Sequence, residues 1–124
     1  MESFSFGDSP EMANELLDLV IQGRKTATSW AAVHGVLDGE KVGGRMIIKD
    51  GKGNPRVVIE TTELTRRKFS EVDETFARDE GEGDLSLEYY KKAHEDFFKR
   101  EGIFSEEMEV YCQRFRVVEI LSDR

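Results

Sequence analysis

The sequence contains very little cysteine and histidine, which narrows the chemistry open to it. Among 124 residues there is one cysteine, Cys112, and there are two histidines, His34 and His94. A single cysteine excludes an internal disulfide bond and a cysteine-based zinc site. Any other metal site would have to recruit carboxylates. Cys112 lies among apolar residues in a predicted strand, and we interpret it as a small core residue.

Long apolar runs are absent as well. No stretch approaches the ~20 apolar residues that a membrane helix requires, and the N-terminus lacks the basic and apolar segments of a signal peptide. Hydrophobic residues make up 38% and charged residues 35% of the chain, and eight phenylalanines supply bulk for a core. We therefore expect a single folded domain over residues 1–124, located in the cytoplasm and without a membrane partner.

Positive charge is scarce, and the excess of negative charge is concentrated in one segment. The chain has 18 basic and 26 acidic residues, for a formal net charge of −8. Between Glu71 and Glu88 there are eight acidic residues and one basic residue, Arg78. Such a field repels nucleic acid at long range. We expect any contact with RNA to be local and sensitive to salt.

Periodicity and turn residues predict an α+β domain. Apolar spacing predicts a helix over residues 8–22, capped by Asp8 or Ser9 and ended by Gly23. Residues 26–36 fit either an extended segment or a short helix. The remaining predicted elements are strands over 45–49 and 56–64 joined by a hairpin, helices over 69–78 and 86–100, and a strand over 108–121. This order predicts helices around a strongly bent antiparallel sheet.

The basic run at residues 66–68 lies between a predicted strand and a predicted helix. A solvated turn explains this run, and a contact with an RNA backbone explains it equally well.

The most informative stretch follows the first predicted helix. Gly23 allows a turn with positive φ, Lys25 carries a mobile cation, and Thr28 offers a hydroxyl about one helical turn later. Together they could form a small anion-binding corner. The alternatives are a solvated lysine at a helix C-terminus and a threonine that bonds only to local backbone.

Gly23, Lys25 and Thr28 match the G-x-K-x-x-T motif of the ASCH domain, which is related to the PUA fold. Residues 57–64, 80–84 and 112–115 also resemble one bacterial branch of that family, together with Phe69, Val72, Ser86, Tyr90 and His94. The resemblance implies a small PUA-like bent antiparallel β-barrel flanked by helices, with the lysine and threonine in a cleft. It also implies an RNA, nucleotide or nucleoside ligand. Family activities include hydrolysis of the acetyl amide of acetylated cytidine and cleavage of single-stranded RNA.

The candidate site residues follow from the motif and the resemblance. We predict Lys25, Thr28, Glu80 and Glu82 as catalytic residues, and spacing alone does not choose between the two glutamates. The predicted substrate-binding residues are Gly23, Arg24, Thr26, Ser29, Trp30 and Tyr90. Tyr90 and His94 lie one helical turn apart, where they could stack on a base and hold a phosphate, or pack in the core. No cofactor is predicted, although the alternating acids of residues 80–84 could hold Mg²⁺.

Two functions remain open at this point. One is a hydrolase that acts on a nucleoside amide or on single-stranded RNA. The other is a non-catalytic module that binds RNA or a nucleotide, with Lys25 neutralising phosphate. A carboxylate within hydrogen-bond reach of Lys25 favours the hydrolase, whereas a cleft with only basic residues favours the binding module.

Overall fold

The computed structural model describes residues 1–121, which form one sheet with helices packed against it. The strands are β1 (Ser3–Phe4), β2 (Ala27–Ala31), β3 (Arg45–Lys49), β4 (Pro55–Lys68) and β5 (Glu109–Ile120). The α-helices are α1 (Pro10–Ile21), α2 (Glu74–Glu80) and α3 (Leu87–Arg100). Three short 3₁₀ turns span Ala32–His34, Asp38–Glu40 and Phe69–Glu71.

The five strands form a mixed sheet in the order β1-β3-β4-β5-β2. The pair β1–β3 is parallel, and the other neighbouring pairs are antiparallel. Register shifts at Ile48/Lys49, Val58/Ile59 and Thr61/Glu63 interrupt the ladders, and such irregularities bend a sheet. The predicted α+β class is therefore confirmed. Within residues 1–121 the edge strands β1 and β2 do not pair, so the sheet is bent but not closed into a barrel.

The first helix begins and ends close to the predicted bounds. Ser9, and not Asp8, is the N-cap, because its hydroxyl accepts a hydrogen bond from the Met12 amide. Pro10 occupies the first helical turn, where its missing N–H costs nothing. After the helix, Gly23 adopts φ +78°, as the turn requires.

Other parts of the chain differ from the sequence-based expectations. Residues 26–36 resolve into strand β2 and a 3₁₀ turn, and the short strand β1 was not predicted. The predicted helix over residues 69–78 is a 3₁₀ turn followed by α2, which begins after the N-cap Asp73.

A solvated turn at residues 66–68, one of the two interpretations of the basic run, is wrong, because these residues extend strand β4. Arg66 pairs with Tyr111 in the register of β4 and β5. Its guanidinium also forms an ion pair with Glu109. Pairing with β5 thus extends strand β4 beyond the apolar residues from which the strand was predicted.

Two apolar clusters lie on different parts of the sheet. One is centred on α1, β3 and β4 and includes Leu17, Val20 and Ile48. The other packs α2 and α3 against β2 and β5 and includes Phe76 and Phe98. The segments that join α1 to β2 and α2 to α3 meet beside both clusters, and this meeting point positions the site. No helix within residues 1–121 has the length and apolarity needed to cross a membrane.

Candidate functional site

A cavity of about 410 Å³ opens between the two apolar clusters. Residues of the β1–α1 segment form one wall, and residues of α3 form another. Most of the wall surface is apolar. The polar side chains on it include Lys25, Thr28, Ser29, Glu80, Glu82 and His94.

Backbone hydrogen bonds hold the Lys25 segment against the end of α2. The Lys25 amide donates to the Leu19 carbonyl, which ties it to the last turn of α1. The next amide, of Thr26, donates to the Asp79 carbonyl at 2.8 Å. Gly81 ends α2 with φ +74°, and a Cβ there would lie 2.4 Å from the Arg24 carbonyl oxygen. The two loops therefore fit together only with a glycine at this position.

Lys25 is buried, with 1% of its surface exposed. Its Nζ donates to the Ala27 carbonyl at 2.9 Å, to the Glu80 carbonyl at 3.2 Å and to Glu82 Oε2 at 2.7 Å. An ammonium group has three N–H donors, so these acceptors use all of them. The Phe6 ring lies 5.2 Å from the same Nζ. Lys25 is thus a fixed cation held in place by the Glu82 carboxylate.

The two candidate glutamates occupy different surroundings. Glu80 is 2% exposed, and its Oε1 lies 3.7 Å from Lys25 Nζ. Burial raises the pKa of the Glu80 carboxyl above its ordinary value, and the nearby Lys25 and His94 oppose this rise. The Glu82 side chain keeps 26% exposure on the cavity wall. Glu82 is therefore the carboxylate that a ligand can reach.

Ser29 joins three other side chains in a polar network behind Lys25. Its hydroxyl lies 2.7 Å from Glu80 Oε2, 2.8 Å from the Tyr90 hydroxyl and 3.4 Å from His94 Nε2. His94 Nδ1 lies 2.9 Å from the Tyr90 carbonyl oxygen, and its ring stacks on the Tyr90 ring. Burial holds the pKa of Tyr90 well above its usual range, so its side chain stays a neutral phenol.

Thr28, predicted as a catalytic residue, and Trp30, predicted to bind substrate, both line the cavity. Thr28 pairs across β5 with Gln113, whose side chain also lies on the wall. The Trp30 indole N–H donates to the Gly35 carbonyl at 2.8 Å. Within residues 1–121 no hydrogen bond joins the Thr28 hydroxyl to Lys25, so these two do not form a nucleophile–base pair in this arrangement.

Four of the other predicted binding residues lie off the cavity wall. Gly23 and Arg24 are exposed at the surface, and the Thr26 hydroxyl lies 3.4 Å from the Asp79 carbonyl oxygen. Tyr90 is 3% exposed and packs in the α2–α3 cluster. Its ring cannot stack on a ligand from there, and its hydroxyl serves the Ser29 network instead.

The neighbouring Tyr89, which sequence reasoning missed, faces the cavity. Tyr89, Ala93 and Phe97 line the wall together. These residues recur every four positions along α3, and that spacing marks one helix face. The same spacing is present in the sequence. The apolar stripe through Tyr90 is a stronger signal, however, and it predicts the face of α3 that proves to be buried. Gln113 was missed because its role depends on cross-strand pairing.

Neither a reactive thiol nor a metal cluster is present in the described part of the chain. Burial raises the pKa of the Cys112 thiol to about 12, which keeps it protonated and unreactive at neutral pH. Among residues 1–121, no group of three or more His, Cys, Asp or Glu side chains is arranged to hold a metal ion.

Comparisons with known proteins identify the family. The family model for the ASCH domain matches residues 2–119, so the chain belongs to the ASCH domain family. A crystal structure of an ASCH domain from Lactobacillus crispatus is 33% identical, with a TM-score of 0.86 over 94% of this chain and 79% of that chain. An Enterococcus faecalis protein is 36% identical, with a TM-score of 0.84 over 97% of this chain and 77% of that chain.

A more distant likeness supports the fold alone. An ASCH protein from Zymomonas mobilis has a TM-score of 0.60 at 9% identity, over 98% of this chain and 71% of that chain. No curated protein matches the chain.

Proposed function

We propose that the protein is an amide hydrolase that acts on a nucleoside-sized substrate, for which acetylated cytidine is the model. The observation that carries this proposal is the 2.7 Å contact between Lys25 Nζ and Glu82 Oε2 on the wall of the cavity. A carboxylate so close to the motif lysine supports chemistry more than simple capture of an anion.

The size of the cavity favours a single nucleoside over a length of RNA. Small-molecule sites measure about 300–1,000 Å³, and this cavity, at about 410 Å³, is near the lower end of that range. Aromatic side chains provide flat surfaces for a base. Those on the wall are Phe4, Phe6, Trp30, Tyr89, Phe97 and Phe98.

The charge of the cavity favours a substrate without phosphate. Four acidic residues line it, namely Asp8, Glu40, Glu80 and Glu82, against the basic residues Lys25 and Arg100. The cation of Lys25 is already engaged by Glu82. A phosphate chain would therefore meet repulsion that a neutral nucleoside avoids.

The proposed reaction gives a role to each of three side chains. Glu82 accepts a proton from a water molecule, whose oxygen then bonds to the acetyl carbon. The Thr28 hydroxyl donates a hydrogen bond to the carbonyl oxygen as negative charge develops on it. Lys25, whose three N–H donors are already engaged, holds the Glu82 carboxylate in position. When the C–N bond breaks, the leaving nitrogen takes up a proton, and the products are acetate and cytidine. In this scheme Thr28 contacts the ligand and is not the nucleophile.

The proposal is tested by measuring the rate of N4-acetylcytidine hydrolysis by the wild-type protein and by the Glu82→Gln and Thr28→Ala variants. Chromatography quantifies the cytidine that is released. We expect Glu82→Gln to lower kcat/KM by about 10²–10⁴-fold, the usual contribution of a general base. Thr28→Ala removes one donor to the oxyanion and should lower kcat by about 10²-fold. Glu106 is an exposed glutamate in the loop before β5, so Glu106→Gln is the matched control and should keep the wild-type rate.

Two results would contradict the proposal. One is a wild-type protein that leaves acetylated cytidine intact but cleaves or binds single-stranded RNA. The other is a Glu82→Gln variant that retains the wild-type rate.

A further inference from the structure

We propose that Ser29 relays a proton between Glu80 and His94, and that this pair supplies the proton taken up by the leaving nitrogen. The proposal rests on the amide hydrolysis for the use of the proton. The relay itself is a property of the free protein, so it can be tested without substrate.

Within residues 1–121, the Ser29 hydroxyl is the only one that lies within hydrogen-bond distance of both the Glu80 carboxyl and the His94 imidazole. Its Oγ lies 2.7 Å from Glu80 Oε2 and 3.4 Å from His94 Nε2. Glu80 Oε1 faces His94 Nε2 directly at 3.9 Å, which is too long for a hydrogen bond. The shortest proton path therefore passes through the serine hydroxyl.

The backbone fixes which nitrogen of His94 takes part. The Tyr90 carbonyl can only accept, so Nδ1, at 2.9 Å from it, carries a hydrogen in every state. Nε2 is then the nitrogen that faces the Ser29 hydroxyl. The His94 side chain is 19% exposed and lies on the cavity wall, whereas Glu80 is buried. His94 thus connects the buried carboxyl to the space that a substrate occupies.

Two proton arrangements satisfy every partner of the Ser29 hydroxyl. In the first, protonated Glu80 donates to Ser29, and Ser29 donates to His94 Nε2. In the second, Ser29 donates to the Glu80 carboxylate, and His94 Nε2–H donates to Ser29. The Tyr90 hydroxyl, 2.8 Å away, donates to Ser29 in both arrangements. One proton has moved from Glu80 to His94, and the number of protons is unchanged.

The groups around Glu80 act on its protonation in opposite directions. Burial raises the pKa of the Glu80 carboxyl above its ordinary value. The other titratable groups that act on this pair are Lys25 and Glu82 from the two loops, Tyr90 from α3 and Cys112 from β5. Lys25 favours the ionised carboxyl, whereas burial and Glu82 favour the protonated one.

The relay completes the proton balance of the reaction. Glu82 removes one proton from the attacking water, and His94 gives one proton to the nitrogen that leaves the acetyl carbon. Glu80 then holds a negative charge beside Lys25. The proton on Glu82 passes to solvent, and solvent returns one proton to the Glu80–His94 pair.

Nuclear magnetic resonance of the free protein tests the relay directly. We would follow the His94 imidazole nitrogens and the Glu80 carboxyl carbon through a pH titration, with Glu80→Gln to assign the carboxyl signal. Because one proton is shared, the two signals should move together at each step. The second histidine, His34, lies in an exposed turn and provides an internal control. If Glu80 and His94 titrate independently in the wild-type protein, the relay is wrong.

Variants of Ser29 separate the relay from a structural role. Ser29→Ala should uncouple the two titrations, whereas Ser29→Thr, which keeps a hydroxyl, should preserve the coupling. Coupling that survives in folded Ser29→Ala would contradict the proposal. If Ser29→Ala does not fold, the wild-type titration and Ser29→Thr still decide the question.

A kinetic measurement connects the relay to the reaction. His94→Gln should lower kcat strongly for acetylated cytidine and much less for an acetyl ester of a nitrophenol, whose leaving group needs no proton. Equal losses on both substrates would contradict a role for His94 as proton donor. A protein that shows coupled titration but no turnover would retain the relay and refute the proposed function.

Discussion

Two buried carboxylates in different parts of the fold show how surroundings decide the role of an acid. Asp50 lies in the β3–β4 turn and is 7% exposed, and Glu80 lies at the end of α2 and is 2% exposed. Asp50 Oδ1 accepts hydrogen bonds from the Lys52 amide at 2.9 Å and the Asn54 amide at 3.0 Å. Glu80 instead has the Ser29 hydroxyl and the Lys25 ammonium as partners.

The pKa values of the two carboxyls move in opposite directions. A hydrogen bond from the Asn54 backbone is the largest cause that lowers the pKa of Asp50. Burial is the largest cause that raises the pKa of Glu80. Fixed amides make Asp50 a permanent anion that shapes a turn. Burial raises the pKa of Glu80 beside a cavity, and a perturbed carboxyl of this kind is a property that a catalytic site can use.

The largest expected effect on stability comes from removing the cation beside Glu80. Lys25→Met leaves a buried carboxylate without its ion-pair partner, and we expect a loss of about 3–5 kcal/mol in the free energy of unfolding. The loss should shrink as the pH falls, because protonation of Glu80 removes the uncompensated charge. Urea unfolding at several pH values measures it.

The control for this prediction is an exposed lysine. The Lys41 side chain is 63% exposed, so Lys41→Met should change stability by no more than about 0.5 kcal/mol. Equal effects of the two substitutions would show that Lys25 does not neutralise a buried charge.

The Asp50 turn and the Glu80 loop can also be compared through one glycine in each. Gly53, in the Asp50 turn, has φ +85°, and no atom lies within 4 Å of a Cβ placed there. Gly53→Ala should therefore cost only the strain of a left-handed residue, about 1–2 kcal/mol. Gly81 has φ +74° and no room for a Cβ beside the Arg24 backbone. Gly81→Ala should cost about 1–3 kcal/mol more, because the two loops must separate.

Thermal or urea unfolding of the two alanine variants measures this difference. Gly81→Ala should also lose hydrolysis, since the displaced loop carries Glu82. Equal stability losses in the two variants would mean that the loops at the cavity are not locked together.

A smaller effect is the pH dependence of stability. The pKa of Asp50 lies below its ordinary value of 3.8 in the folded protein. Its stabilising effect is therefore complete above pH 3.8 and is lost as the pH falls through the folded-state pKa. The pKa of Glu80 lies above its ordinary value of 4.5. Its contribution is complete below pH 4.5 and is lost as the pH rises through the raised pKa.

The variants Asp50→Asn and Glu80→Gln allow the pH dependence of stability from each carboxyl to be measured. The difference in unfolding free energy between wild type and Asp50→Asn should grow as the pH rises toward 3.8. The corresponding difference for Glu80→Gln should decline as the pH rises above 4.5. If both differences in unfolding free energy changed with pH in the same direction, the two acids would not differ in the way described.

Much of the fold could be predicted from the sequence because local signals were strong. Ser9, Pro10 and Gly23 mark the ends of α1, and the apolar spacing of α3 predicted its bounds to within a residue or two. The two-residue strand β1 gives no periodic signal. The end of β4 depends on cross-strand partners such as Tyr111, which sequence order does not reveal.

The site could be predicted only in part. Lys25, Thr28, Glu80 and Glu82 do line one cavity, as the motif and the acidic loop suggested. The choice between the two glutamates required their exposure, because both flank Gly81 in the same loop. The Ser29 network was also beyond sequence reasoning. It joins residues of β2, α2 and α3 that are 51 and 61 positions apart.

The most direct test of the account compares Glu82→Gln with Asp50→Asn in one assay. We would measure the release of acetate from N4-acetylcytidine together with the free energy of unfolding of each variant. We expect Glu82→Gln to lose turnover and to remain folded, whereas Asp50→Asn should lose stability and keep the wild-type turnover. Loss of turnover in both variants, or in neither, would contradict the division between a structural and a catalytic acid.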